Sequence, residues 1–110
     1  MPDYYDPKDL PRFDEIGRDA PALWEAFNRY YGAVFEAGAL SEREKALIAL
    51  AVAHAVQCPY CIDAFTQTCL EKGSHLEQMT EAVHVAAAIR GGATLIHGLQ
   101  MRNAADKLTM

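Results

Sequence analysis

Residues 58–61 read Cys58-Pro59-Tyr60-Cys61, and His54 stands four residues before the first thiol. A pair of thiols so spaced can cycle between dithiol and disulfide. One thiolate attacks a peroxide oxygen or a disulfide sulfur, and the second thiol resolves the product. The same pair can also supply half of a metal site, or pack as two small buried side chains. A structural zinc site needs four ligands, and no second CxxC or CxxH is present; His54, His84 and His97 are the side chains left to complete one. His54 is an ionisable group inside an apolar run. Beside a thiol, an imidazole takes its proton or stabilises its thiolate. Otherwise it is a core histidine bonded to a backbone carbonyl. His75 reads as a surface residue, and His84 and His97, on apolar helices, as core or interface. Cys69 falls eight residues after Cys61 with no partner nearby in sequence, and reads as core.

These groups need a helix start to act. Pro59 has no amide to donate, and its fixed φ suits a first helical position. That places a break at Gln57–Cys58 and a new helix from Pro59 to about Lys72, stopped by Gly73. Both sulfurs then lie near a helix N-terminus, where free amides and partial positive charge favour a thiolate. Capping points to Cys58 as the attacking thiol.

The flanking elements are helical as well. Ser41-Glu42-Arg43-Glu44 is a capping box that opens a helix through "KALIALAVAHAVQ". That helix is apolar on nearly every side, so it must be buried on nearly every side, with help from neighbouring subunits. Upstream, Asp19 caps a helix with Pro21 in its first turn, and Trp24, Phe27, Tyr30, Tyr31 and Val34 follow at helical spacing. Gly38 fits its stop. Residues 1–18 carry Pro2, Pro7 and Pro11 and read as an extended arm. Ser74-His75-Leu76-Glu77 is a second capping box. Its helix is interrupted at Gly91-Gly92, and a last helix begins at Ala93. Small residues around that interruption permit close helix approach. The expectation is an all-α bundle of five or six helices in a single domain over 1–110, with an arm at 1–18 and a core at 19–110, oligomerising through apolar helices.

Composition limits the rest. The chain has 110 residues and a formal net charge of −5, with scattered Lys and Arg, which argues against a nucleic-acid partner. The longest apolar run, Ala46 to Val56, is 11 residues, short of the about 20 that a membrane span needs. No signal peptide is recognisable at the start. The expectation is therefore a cytoplasmic protein, in which a CxxC is more often catalytic or metal-binding than structural. An odd cysteine count also argues against a disulfide framework.

"LSEREKALIALAVAHAVQCPYCIDAF…CLEKG…EQMTEAVHVAAAIRGGATLIHG" resembles the carboxymuconolactone decarboxylase-like superfamily, and within it the CxxC-containing alkylhydroperoxidase AhpD-type branch. More loosely, it is similar to the peroxidase-like proteins associated with arsenosugar biosynthesis. The resemblance implies an AhpD-like trimer or hexamer that reduces hydroperoxides with its dithiol. It implies no cofactor, and re-reduction by a thiol donor such as a lipoylated protein. It makes Cys61 peroxidatic and Cys58 resolving. The branch's proton relay is missing from its usual places: Ala46 stands for its glutamate, Phe65 for one histidine and Tyr60 for another. Glu44, about 200° round the helix from Ala46, is no easy substitute. His54 becomes the candidate replacement. Superfamily decarboxylation is disfavoured, because no basic cluster offers a dicarboxylate site. Two other readings stay open: a zinc- or arsenite-binding module, and a non-catalytic oligomeric scaffold.

Overall fold

Leu50 and Cys69 are the largest side chains fully removed from solvent, and they mark where the helices converge. The computed structural model describes residues 5–109. It is all-helical. A 3₁₀ segment, Pro7–Arg18, precedes α1 (Pro21–Phe35), α2 (Glu42–Ala55), α3 (Pro59–Glu71), α4 (Leu76–Ile96) and α5 (Gly98–Thr109). Helix α2 is central and packs against both α3 and α4. Ala46, Leu50 and Ala53 fall at i, i+4 and i+7, so they form one stripe on α2, and all three are buried. Ala46 and Leu50 meet Cys69 of α3 and Met79 of α4, with Leu47 and Phe65 packed alongside. Burying a leucine of this kind contributes roughly 1.5–3 kcal/mol.

The α2 capping box forms as expected. Glu44 N–H donates to Ser41 Oγ at 3.0 Å, and Ser41 N–H donates to Glu44 Oε1 at 2.9 Å. Gly73, at φ +89°, ends α3. Its amide donates to the Leu70 carbonyl and the Ser74 amide to the Cys69 carbonyl, the paired bonds of a Schellman stop.

Four expectations need correction. The arm is helical rather than extended. Asp6 Oδ1 accepts from the Lys8 amide at 2.9 Å, and Pro7 occupies the first helical position, where no amide is needed. The arm's first four residues lie outside the described residues. Asp19 does not cap α1. With Pro21 at its first position, the N-cap is Ala20, which offers no side-chain acceptor. The second capping box is displaced by one residue: His75 is the N-cap, and its amide donates to Gln78 Oε1 at 3.1 Å. Ser74 is buried instead, taking a bond from Arg43 Nε at 3.4 Å. Helix α4 runs unbroken through Gly91-Gly92, and the break comes at His97, so the last helix starts at Gly98. Two helical glycines cost about 1 kcal/mol each against alanine, which weakens a helix without ending it.

The central helix is not enclosed by one chain. Ile48 and Val52 on α2 and Val56 at its C-cap are half-exposed or more, and His84 and His97 lie exposed on or beside α4. Neither α1 nor α5 has a buried residue. On α4, Ile89 is 70 % exposed and Leu95 80 % exposed. The radius of gyration is 18.8 Å, against about 13 Å for a compact chain of this length. The accessible surface is 8788 Å², against roughly 6,000 Å² for a folded monomer of this mass.

Candidate active site

The backbone between α2 and α3 sets the position of the thiols. Gln57 takes a left-handed conformation, φ 56°. Its amide donates to the His54 carbonyl at 3.1 Å, and the Cys58 amide donates to the Ala53 carbonyl at 3.0 Å. This is the same Schellman geometry that Gly73 makes at the end of α3, here built with a glutamine. It turns the chain sharply, so that Cys58 becomes the N-cap of α3. Arg90 of α4 donates to the Ala55 carbonyl, satisfying one of the last carbonyls of α2. Neither Gln57 nor Arg90 carries a sequence signal for this work. Glycine is the usual left-handed stop, and Arg90 is 35 residues from its acceptor.

Cys58 and Cys61 are joined in a disulfide, with Cα atoms 5.2 Å apart. The Cys61 amide donates to Cys58 Sγ at 3.2 Å, so one sulfur caps the helix as the spacing implied. Pro59 sits at the first helical position. Both sulfur-bearing residues are half-buried and line a cavity of about 580 Å³. Tyr60 and Ala64 of α3 continue its floor. The facing wall comes from the 3₁₀ segment, with Leu10, Phe13 and Ile16 supplying apolar surface.

Aromatic contacts and one glycine hold that wall. Tyr5 packs edge-on against Tyr60 at 4.7 Å, and Phe13 edge-on against Trp24 of α1 at 4.9 Å. Gly17 is buried under Trp24: a Cβ there would meet the indole at 2.5 Å. The charges of the wall are paired among themselves. Arg12 bonds Glu15 at 2.7 Å and Asp9 at 3.1 Å. The hydrogen bond to Glu15 raises the Arg12 guanidinium further, and the same bond holds the Glu15 carboxyl below its ordinary range.

His54 is half-buried, and its Nδ1 lies 2.8 Å from the Leu50 carbonyl. That acceptor places the proton on Nδ1 and leaves Nε2 as the acceptor edge. His54 is not among the residues lining the cavity. The usual relay positions are apolar in space as well as in sequence. Ala46 is in the core, and Phe65 stacks on Phe35 at 5.1 Å. Cys69 is fully buried, and burial pushes its thiol up. Among the described residues no three His, Cys, Asp or Glu side chains gather in a metal-holding group. Nor is any helix among them long and apolar enough to cross a membrane.

The model of the carboxymuconolactone decarboxylase family matches residues 21–103. The chain belongs to the carboxymuconolactone decarboxylase family. It is 40 % identical over 97 residues to "uncharacterized protein 4 in cox locus" of Paracoccus denitrificans, covering 88 % of this chain and 87 % of that one. A crystal structure of a protein from Methanobacterium thermoautotrophicum superposes with a TM-score of 0.72 at 35 % identity, covering 76 % of this chain and 93 % of that one. The apo structure of a family protein from Legionella pneumophila superposes with a TM-score of 0.69 at 32 % identity, covering 82 % and 81 %. The family stretch contains α1 to α4, the dithiol and the first half of α5, while the 3₁₀ wall of the cavity precedes it.

Proposed function

We propose that this chain is a thiol-dependent peroxidase and disulfide oxidoreductase of the AhpD-type branch, with Cys58 and Cys61 as its redox pair. The observation that carries the reading is the disulfide at the N-terminus of α3, opening onto a cavity. In the reduced protein the Cys61 thiolate attacks the distal oxygen of a hydroperoxide. An S–O bond forms, the O–O bond breaks, and the alkoxide leaves and takes up a proton as the alcohol. Cys58, its negative sulfur stabilised by the Cys61 amide and the helix N-terminus, attacks the Cys61 sulfenic acid. The S–S bond forms and hydroxide leaves as water. The dithiol has given up two electrons. A dithiol donor of the dihydrolipoyl class, carried on a protein in a reducing cytoplasm, restores the pair by exchange and is itself oxidised to a disulfide.

His54, four residues before Cys58 in sequence and on the far side of the Gln57 turn, is the candidate proton acceptor through Nε2. The excess surface and the large radius of gyration support a homo-oligomer, a trimer or hexamer, in which apolar faces of α2, α4 and α5 are covered.

Turnover of a hydroperoxide with a dithiol donor tests the roles. Cys58→Ser and Cys61→Ser are each expected to lower it at least about a hundredfold. After one equivalent of hydroperoxide, Cys58→Ser accumulates a sulfenic acid at position 61 and Cys61→Ser accumulates none. His54→Ala is expected to cost about a hundredfold and to change the pH profile. Turnover retained in Cys61→Ser contradicts the assignment of the attacking thiol, and an unchanged profile in His54→Ala leaves that histidine a packing residue.

A further inference from the structure

We propose that the 3₁₀ segment is a specificity element that selects bulky, uncharged, apolar hydroperoxides and disfavours small or anionic ones. The inference rests on the dithiol reading above and adds which substrates reach it. The wall it concerns lies outside the stretch that matches the family, so the family's conserved body does not account for it.

Three observations combine. The cavity is about 580 Å³, within the roughly 300–1,000 Å³ of ordinary small-molecule sites. Hydrogen peroxide, barely larger than water, leaves most of that space unfilled and gains nothing from its walls. Next, the wall facing the sulfurs is Leu10, Phe13 and Ile16, with Tyr60 and Ala64 on the cysteine side. An aryl or branched alkyl group seated there is removed from water, and its transfer free energy, of order 25 cal/mol per Å² of apolar surface, favours the complex. Finally, the cation bordering the cavity is committed. Arg12 is bonded to both Asp9 and Glu15, and Glu15 also pairs with Arg18 at 3.6 Å, so the cluster is neutral and its cations are already taken. A substrate carboxylate entering there is desolvated against an apolar wall and finds no free cation to replace its water, so an anion is disfavoured.

The segment is held so that it can discriminate. Phe13 on Trp24 and the tight Gly17–Trp24 contact fix its far end to α1, and Tyr5 on Tyr60 fixes its near end to α3. Ile16 is 69 % exposed, so its side chain can be changed with little effect on the core.

The experiment compares kcat/KM for cumene hydroperoxide, its para-carboxylate and hydrogen peroxide, on the full chain with a dithiol donor. Wild type is expected to prefer cumene hydroperoxide over hydrogen peroxide by tenfold or more, and over the carboxylate by a similar factor. Phe13→Ala is expected to reduce the first preference about tenfold. Because Phe13 also packs on Trp24, Ile16→Lys serves as a second variant. It places a cation in the wall and is expected to narrow or reverse the preference against the carboxylate. Peroxides that all oxidise the dithiol, with ratios equal in wild type and both variants, overturn the inference while leaving the redox reading intact. No oxidation of Cys58 and Cys61 by any of the three overturns the redox reading, and this inference with it.

Discussion

Gln57 holds the left-handed backbone that makes Cys58 a helix cap, a conformation that costs a residue bearing a Cβ roughly 1–3 kcal/mol. Gln57→Gly is therefore expected to raise stability by about 1 kcal/mol, read as a higher denaturant midpoint at unchanged slope. A fall in the midpoint contradicts the strain. The neighbouring cysteines show how much of the site was legible. Pro59 and the CxxC spacing locate the helix start and the capping sulfur, because proline has few other places to sit. Gln57 could not be read, since nothing in a glutamine announces positive φ. The exclusion of Ala46 and Phe65 from proton transfer was legible from residue type alone, and neither side chain lines the dithiol cavity. His54 was visible as an anomaly in an apolar helix. Its bond to the Leu50 carbonyl, the ordinary i−4 partner of a helical side chain, was one of the two outcomes that the sequence left open.

At the scale of elements, the capping box of α2 links stability to acid. The Ser41 amide holds the Glu44 carboxyl below its ordinary value, and Lys72 does the same for Glu42 across to α3. A carboxyl with a lowered folded-state pKa contributes stability that is present above its unfolded value, about 4.5, and lost as pH falls through the lower folded value. Melting temperatures should therefore drop below about pH 4.5, and Glu44→Gln, which keeps a hydrogen-bonding oxygen, should flatten that acid limb. An acid limb identical to wild type would place the titration elsewhere. The element least legible in sequence is the 3₁₀ segment. Two prolines and many charges look extended, yet proline at a first helical position and the Asp6 cap stabilise a helical start. Its placement depends on Gly17 lying beneath Trp24, a contact between an arm and a helix that no local pattern encodes. The Gly91-Gly92 pair misleads for the opposite reason: glycine marks a stop only when the chain has somewhere else to go.

At the scale of the whole molecule, the fold class was legible because 3.6-residue periodicity recurs throughout, and the over-apolar central helix already called for neighbours. The exposed faces of α2, α4 and α5 turn that into a quantity. The surface exceeds that of a compact monomer by about 2,800 Å², an area of the size found in obligate interfaces. Sedimentation equilibrium is expected to give three or six times 12.1 kDa, and Ile89→Glu with Leu95→Glu together a smaller assembly. A wild-type monomer would contradict this reading.

The dithiol remains the central claim, and counting thiols tests it most directly. The reduced chain carries three: Cys58, Cys61 and Cys69. One equivalent of cumene hydroperoxide, followed by thiol titration in denaturant, is expected to leave a single free thiol. Mass mapping should place it at Cys69, which is buried and has no partner in reach. Three thiols still free after that treatment would contradict a peroxide-reducing Cys58–Cys61 pair.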